Sequence, residues 1–351
     1  MIILILFLVF CFLQSEAQIF PLKISTNGRY LITKKGSPFL LNAFSIALIL
    51  ESPENLAAKV NRIKALGYNT IYISFSNITI KKDLQKVISQ KTLLLKKIIR
   101  EAEFNELAVM ISLSDNLTTE ETIFIFEKLK KFKNVLWLLN HGVLNSERSN
   151  FILHHKQLIG YTKNSNGSNV FRVIQTNESI PSPLSIPTFL IVRTDSAVND
   201  SAAFAYRKNI YSGILNGISG IIQDQPFKDN NLRHLYNLYS FDQKRIKNIF
   251  DTLQWNNFVF STSLFESDIL FKKSAILGDS SQAVIYYIGK ENLPLNLSMF
   301  HTELHLTWIN LSTGLVLHSA FRPEPAHQIF MPPLDARKYK DWLLIFKAKQ
   351  K

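Results

Sequence analysis

Four side chains in the middle of the chain have the types needed for general acid–base or nucleophilic catalysis. Three are the carboxylic acids Glu178, Asp195 and Asp224, and the fourth is His141. Two carboxyl groups that flank a bond can act as proton donor and as base or nucleophile. A histidine can replace the donor because its ordinary pKa lies near neutrality. Each of the four also has a structural interpretation, as a loop residue, a helix cap or an ion-pair partner.

Five further polar or aromatic residues are candidates for holding a substrate. Asn140 and His141 follow one apolar run, Asn164 and Gln175 follow the next two, and Arg193 ends another. If Arg193 lies beside Asp195, its charge lowers the pKa of that acid, which suits a base better than a proton donor. Tyr211 is the aromatic candidate for packing against a ligand.

The elements that must position these residues alternate along the chain. Apolar runs predict eight strands, at 39–41, 70–75, 107–113, 135–139, 158–161, 170–175, 188–192 and 218–222. Helical spacing of apolar residues predicts helices at about 53–67, 83–104, 119–132, 201–216 and 231–253. Continuous apolar strands that are covered on both faces are parallel. The sequence therefore predicts an α/β fold, a closed (β/α)8 TIM barrel, with its site at the carboxyl ends of the strands.

From about residue 257 the pattern changes to short strands between turns that contain glycine or proline. Strands are predicted at 283–288, 304–308, 315–318 and 342–347. This is typical of a small antiparallel β-sandwich. The predicted organisation is a leader at 1–18, a barrel at 19–256 and a sandwich at 257–351.

The first 18 residues are typical of a signal peptide. Residues 1–13 are all apolar, which is shorter than the roughly 20 residues of a membrane span. No Lys or Arg precedes this run, so an uncleaved anchor is the alternative. Cys11 is the only cysteine and lies in this segment. We expect an exported protein, periplasmic, secreted or on a bacterial cell surface, that contacts a membrane only if the segment is retained.

The net charge of +13 narrows the possible partners. A basic surface favours an acidic polysaccharide or an anionic cell surface, although a lysine-rich stretch such as 128–133 also fits a solvated helix face. The sequence has no nucleic-acid motif and no phosphate-binding loop, so neither nucleic acid nor a cofactor is predicted. His301, Glu303 and His305 can share a strand face without a further ligand, so no metal is predicted.

Several segments together resemble the apiosidase-like glycoside hydrolases, whose barrel carries a β-sandwich named a collagen-binding domain. The resemblance spans residues 20–348, and its clearest segments are PLKISTNGRYLITKKGSPFLLNAFS, ALGYNTIYISF, KNVLWLLN, RKNIYSGILNGISGII, WINLSTG and DWLLIFK. It implies a glycoside-hydrolase barrel whose partner is a plant or bacterial polysaccharide.

The same resemblance implies that the catalytic carboxylates are missing. The family's acid after strand four corresponds to Gly142, and its glutamate at strand seven corresponds to Val192. An acid after strand one corresponds to Phe44, and a tryptophan after Tyr211 corresponds to Ser212. Glycine and valine cannot donate a proton, and loss of both acids removes most of the rate acceleration.

Three hypotheses follow. The first is a catalytically impaired pseudoenzyme that binds glycan or supports polysaccharide degradation. The second is an active glycosidase that uses relocated carboxylates, Asp195 with Asp224 or Glu178. The third is a structural protein whose barrel mouth is filled by apolar side chains such as those of Phe44, Ile46 and Val192.

Overall fold

The computed structural model of the protein describes most of the chain. The described residues are 19–46, 55–74, 84–113, 117–139, 157–162, 170–176, 185–193, 200–224, 239–265, 272–277, 279–289, 291–323, 327–333 and 341–349. The predicted signal peptide, with Cys11, lies outside them.

The described chain begins with a small antiparallel sheet. β1 (Lys23–Ile24) pairs with β2 (Leu31–Ile32), which pairs with β3 (Pro38–Phe39). In the turn between β1 and β2, Gly28 has a φ of 77°, and an added Cβ would lie 2.8 Å from the backbone oxygen of Ser185. This turn therefore requires glycine.

Eight further strands form a closed barrel. They are β4 (Leu41–Ser45), β5 (Thr70–Ser74), β6 (Ala108–Leu113), β7 (Val135–Leu139), β8 (Ile159–Tyr161), β9 (Val170–Gln175), β10 (Thr188–Arg193) and β11 (Gly220–Asp224). They follow one another around the barrel in chain order. The pairs from β4 to β9 are parallel, and all residues of β6 and β7 are buried. The predicted fold class is confirmed.

The first barrel strand was predicted too early. Phe39 belongs to β3, and the barrel strand begins two residues later, at Leu41. Asn69 fixes this entry, because its side-chain Nδ2 donates to the Leu40 carbonyl and its Oδ1 accepts from the Asn42 N–H, each at 2.8 Å. These contacts cross 27 to 29 positions, so the local apolar pattern does not contain them.

Five helices are described, three of them between the early barrel strands. They are α1 (Leu56–Ala65), α2 (Leu84–Phe104), α3 (Thr119–Leu129), α4 (Asp200–Leu215) and α5 (Tyr239–Asp251). The amino end of α3 has a capping box, in which Thr118 and Glu121 each accept a hydrogen bond from the other's backbone N–H. Gly67 follows α1 with a φ of 94°.

The remaining strands form the predicted antiparallel sandwich. They are β12 (Phe258–Phe260), β13 (Lys272–Leu277), β14 (Gln282–Ile288), β15 (Leu293–Asn296), β16 (Leu304–Asn310), β17 (Val316–Phe321), β18 (His327–Phe330) and β19 (Asp341–Ala348). One sheet has the order β12-β13-β14-β19-β16-β17, and β15 pairs with β18. The sandwich has its own core, in which the rings of Trp308 and Trp342 meet edge to face at 5.8 Å.

The chain divides into two compact units. One runs to Val173 and includes Ser185–Phe189, and the other contains Ile174–Leu184 and Leu190–Lys351. The second unit therefore holds α4, β11 and α5 together with the whole sandwich. The predicted domain boundary at residue 256 stays a prediction.

Candidate functional site

Three of the predicted site residues end barrel strands. Gln175 is the last residue of β9, Arg193 of β10 and Asp224 of β11. Gln175 is exposed and Asp224 is partly buried, whereas only the backbone of Arg193 is described. They occupy the end of the barrel that carries the active site in enzymes of this architecture. Their roles stay predictions.

The other site candidates lie outside the described residues. They are the catalytic candidates His141, Glu178 and Asp195, the substrate-binding candidates Asn140 and Asn164, and the replaced position Gly142. The distances on which a two-carboxylate mechanism depends therefore stay open.

Asp224 is the one predicted catalytic carboxylate among the described residues. The strand around it is apolar and buried, and its own residue is the first of β11 to reach the surface. No described residue forms an ion pair or hydrogen bond with its carboxylate. A carboxylate in this position can accept hydrogen bonds from the hydroxyl groups of a ligand.

Two positions at which the family resemblance implies acids carry buried apolar side chains. Val192 is 1% exposed and lies next to the end of β10. Phe44 is 3% exposed in β4, and its ring lies 5.1 Å from that of Tyr68. Both side chains belong to the packed interior and cannot take part in proton transfer.

Tyr211, predicted to bind substrate, has a different place. It lies in α4 with no exposed surface, and its ring stacks on Tyr286 of β14 at 5.7 Å and packs against Phe250 of α5 at 6.0 Å. A sugar cannot reach this ring. The prediction for Tyr211 is therefore corrected, since the residue joins a helix to the sandwich sheet.

A buried charged cluster lies beside Tyr211 in the same compact unit, and sequence reasoning missed it. Arg207 of α4 donates from Nε to Asp341 of β19 at 2.6 Å and from Nη1 to Asp242 of α5 at 3.3 Å. Arg245 lies 3.5 Å from Asp242 and also donates to the carbonyl of Leu311. The cluster joins two helices to two ends of sandwich strands.

Burial dominates the electrostatics of this cluster. It raises the pKa of Asp242 to about 6, although the charges of Arg207 and Arg245 act in the opposite direction. It also raises the pKa of Asp341, against the hydrogen bonds and charge of Arg207. Burial would lower the pKa of Arg207, but the bonds and charges of its two carboxylate partners outweigh this and raise it. Such a closed, paired arrangement is structural rather than catalytic.

The described residues carry two further negative findings. Within these ranges, no three or more histidine, cysteine or carboxylate side chains are grouped as a metal site would require. None of the described helices combines the length and the apolar character that crossing a bilayer demands.

Neither a protein-family model nor a curated protein sequence matches this chain. Solved structures do match it. A protein described as a glycoside hydrolase aligns over 94% of this chain and 97% of its own, with a TM-score of 0.72 and 13% identity. A glycoside hydrolase family 5 protein from Bacteroides vulgatus aligns over 93% of both chains, with a TM-score of 0.75 and 14% identity.

A third similar structure is the noncanonic maltogenic α-amylase AmyB from Thermotoga neapolitana. It aligns over 88% of this chain and 99% of its own, with a TM-score of 0.58 and 8% identity. At such identities the likeness establishes the fold and not the activity. The chain therefore has a glycoside-hydrolase-like fold, a (β/α)8 barrel followed by a small β-sandwich.

Proposed function

We propose that this protein is an exported, catalytically impaired relative of the apiosidase-like glycoside hydrolases that binds polysaccharide or supports its degradation. The observation that carries the proposal is Val192, which is buried beside the end of β10 where the resemblance implies a catalytic glutamate. The likeness to glycoside hydrolases over nearly the whole chain supports carbohydrate as the partner.

The chemical argument concerns the proton. Cleavage of a glycosidic bond requires one carboxyl group to protonate the leaving oxygen and a second to stabilise or attack the positive centre. A buried valine provides neither. Loss of acid catalysis alone costs about 10²- to 10⁴-fold in rate. At the position of the second acid that the resemblance implies, the sequence has Gly142.

Binding has weaker requirements than cleavage, and the chain keeps polar groups that meet them. Gln175 and Asp224 end their strands with exposed or partly exposed side chains. An amide and a carboxylate are the groups that commonly hold sugar hydroxyls, because they offer donors and acceptors in fixed directions. The predicted binding roles of Asn140, His141, Asn164 and Arg193 stay predictions.

A competing function is an active glycosidase with relocated acids. Its support is Asp224, a partly exposed carboxylate at the carboxyl end of β11. The enzyme would pair it with Asp195 or Glu178. A distance of about 5 Å between the two carboxyl groups would predict retention of the anomeric configuration, whereas about 6.5–9.5 Å would predict its inversion.

One screen distinguishes these functions. The purified protein is incubated with arrays of plant and bacterial polysaccharides, and bound glycan and released reducing sugar are measured in the same wells. We expect binding without release, and weaker binding after Asp224→Asn. Release that disappears in Asp224→Asn or Asp195→Asn would establish the enzyme instead. Absence of both binding and release would leave the structural hypothesis.

Export is part of the proposal and has its own test. The amino-terminal sequence of the protein secreted or retained by its native host should begin after about residue 18, because Ala17 offers a small residue before the cut. A mature protein that still begins at Met1 in the membrane fraction would support the anchor instead.

A further inference from the structure

A cavity of 280 Å³ lies at the amino ends of β7 and β8. The residues before Val135 and Ile159 line it, together with Pro21 and Leu22 from the start of the described chain. Active sites of barrel enzymes lie at the carboxyl ends of the strands, so this cavity belongs to the opposite end.

Three lysines line the cavity: Lys130, Lys131 and Lys133. Lys130 forms an ion pair with Glu127 at 2.7 Å. The ammonium group of Lys131 lies 5.6 Å from the ring centre of Phe132. Within the described part of the chain, no carboxylate forms an ion pair with Lys131 or Lys133. Among the described residues, Lys131 and Lys133 therefore leave positive charge at the cavity, which favours an anion.

The backbone that carries these lysines is held in place. Gln157 donates from Nε2 to the carbonyl of Lys130 at 2.6 Å and to that of Phe132 at 3.2 Å. Its Oε1 accepts from the indole N–H of the buried Trp137 at 2.5 Å. Because three bonds from one side chain fix the turn, a ligand would not have to order it, which lowers the cost of binding.

The rest of the lining indicates an organic anion with an apolar face. Leu22, Phe132 and Val135 provide apolar walls, each less than 9% exposed. Asn134 also lines the cavity, and its buried side chain donates to the carbonyls of Ile99 and Leu107, which holds this wall in place. The volume lies near the lower end of small-molecule sites, about 300 Å³, which suits one sugar ring.

We propose that this cavity is a second carbohydrate site that binds one acidic sugar, a uronic acid residue of a polysaccharide. Lys131 and Lys133 bind the carboxylate, and the apolar walls pack against the ring. The choice of a sugar acid over other hydroxylated anions rests on the proposed function, whereas the anion site itself does not.

The test uses a trimer of galacturonic acid and a neutral galactose trimer, with titration calorimetry on the full chain. The informative variant is Lys131→Ala with Lys133→Ala, since both side chains are exposed and their loss leaves the core unchanged. Lys128→Ala is the matched control, because this exposed lysine lies over the ring of Phe124 and does not line the cavity. Each variant loses positive charge from the same lysine-rich stretch.

We expect the double variant to bind the acidic trimer at least 10-fold more weakly, and Lys128→Ala to stay within about twofold of the original. Equal losses in both variants, or none in either, would overturn the site. Inorganic phosphate that binds as tightly, with the same dependence on the two lysines, would overturn the sugar acid and leave a simple anion site. Binding of neutral glycans and its sensitivity to Asp224→Asn report separately on the barrel mouth, so failure of one proposal is distinguishable from failure of the other.

Discussion

Arg207 holds both carboxylate oxygens of Asp341, although 134 positions separate the two residues in the chain. Nε donates to Oδ2 at 2.6 Å and Nη2 donates to Oδ1 at 3.1 Å. This paired geometry suits a planar guanidinium and cannot be reproduced by lysine. The contact ties a barrel helix to the first residue of the last sandwich strand.

Arg207→Met is expected to destabilise the protein strongly. The substitution keeps most of the side-chain volume but leaves Asp341 and Asp242 buried, with Arg245 as the remaining cation near Asp242. Removing one partner of a buried ion pair costs about 3–5 kcal/mol. Urea unfolding at pH 7 measures the loss.

The matched control for that experiment is Lys64→Ala. It removes an ion pair with Glu106 at 3.3 Å whose side chains are 47% and 34% exposed. Exposed pairs contribute at most about 1 kcal/mol. Similar losses of unfolding free energy in the two variants would show that the buried Arg207–Asp341 pair stabilises the protein no more than an exposed pair does.

Asp242→Asn is expected to change the pH dependence of stability. Burial raises the pKa of Asp242 to about 6, whereas an unfolded chain gives about 3.9. Between these values the folded protein holds a proton that the unfolded chain has lost, so this group's contribution to the free energy of unfolding falls as the pH rises. The whole fall is about 3 kcal/mol at most, and the raised pKa of Asp341 acts in the same direction.

The measurement is the free energy of unfolding at several pH values from 4 to 7, for the original protein and the variant. The free energy of unfolding of the original protein minus that of Asp242→Asn should decrease as the pH rises through this window. Asp251→Asn is the control, because that exposed acid pairs only with the exposed Lys247 among the described residues. Parallel curves for the original and Asp242→Asn would contradict the prediction.

Much of the barrel follows from local sequence, because parallel strands buried on both faces are nearly continuous apolar runs. The strands at 135–139 and 170–175 were predicted with the bounds that the structure has. The first strand was misplaced because apolar residues continue on both sides of its start, and the side chain of Asn69 decides where pairing begins. Four sandwich strands, β12, β13, β15 and β18, were missed because they are short or carry little alternation of their own.

The sites were harder to predict than the fold. Asp224 lies at the strand end where the spacing predicted it. Tyr211 was predicted to bind substrate, and no role was predicted for Arg207, which lies one helical turn before it. Both residues are buried where α4 contacts the sandwich. Their partners, Tyr286 and Asp341, come from strands far along the chain, and helical periodicity carries no information about such partners.

Tyr206→Phe and Tyr211→Phe form a matched pair in α4, and they are expected to differ. The hydroxyl of Tyr206 donates to Gln223 at 3.2 Å and accepts from Gln243. Its removal leaves buried amide groups unpaired, at a cost of about 1–3 kcal/mol. Among the described residues, no group forms a hydrogen bond with the buried hydroxyl of Tyr211, so its removal should leave stability equal or higher.

Thermal unfolding and glycan binding should both be measured for these two variants. Neither should change glycan binding, because both rings are at most 2% exposed. A loss of binding in Tyr211→Phe without a loss of stability would restore the predicted substrate-binding role of Tyr211.

Gly160→Ala is expected to disrupt the barrel where β8 meets β9. Gly160 lies opposite Phe171 in the register of the two strands, and an added Cβ would lie 1.9 Å from a carbon of the Phe171 ring. That ring is fully buried and packs against Phe189 at 4.9 Å, so it has little room to move. Overpacking of this kind costs about 1–3 kcal/mol or more, measured by urea unfolding.

Gly213→Ala provides the comparison, because its added Cβ would lie 3.1 Å from Cδ2 of Leu190, the end of a flexible side chain. Alanine also gains about 1 kcal/mol over glycine inside a helix, so stability should change little. Phe171→Leu, introduced together with Gly160→Ala, should recover part of the loss by opening space for the methyl group. If the double variant is no more stable than Gly160→Ala alone, then the ring of Phe171 is not what requires glycine at this position.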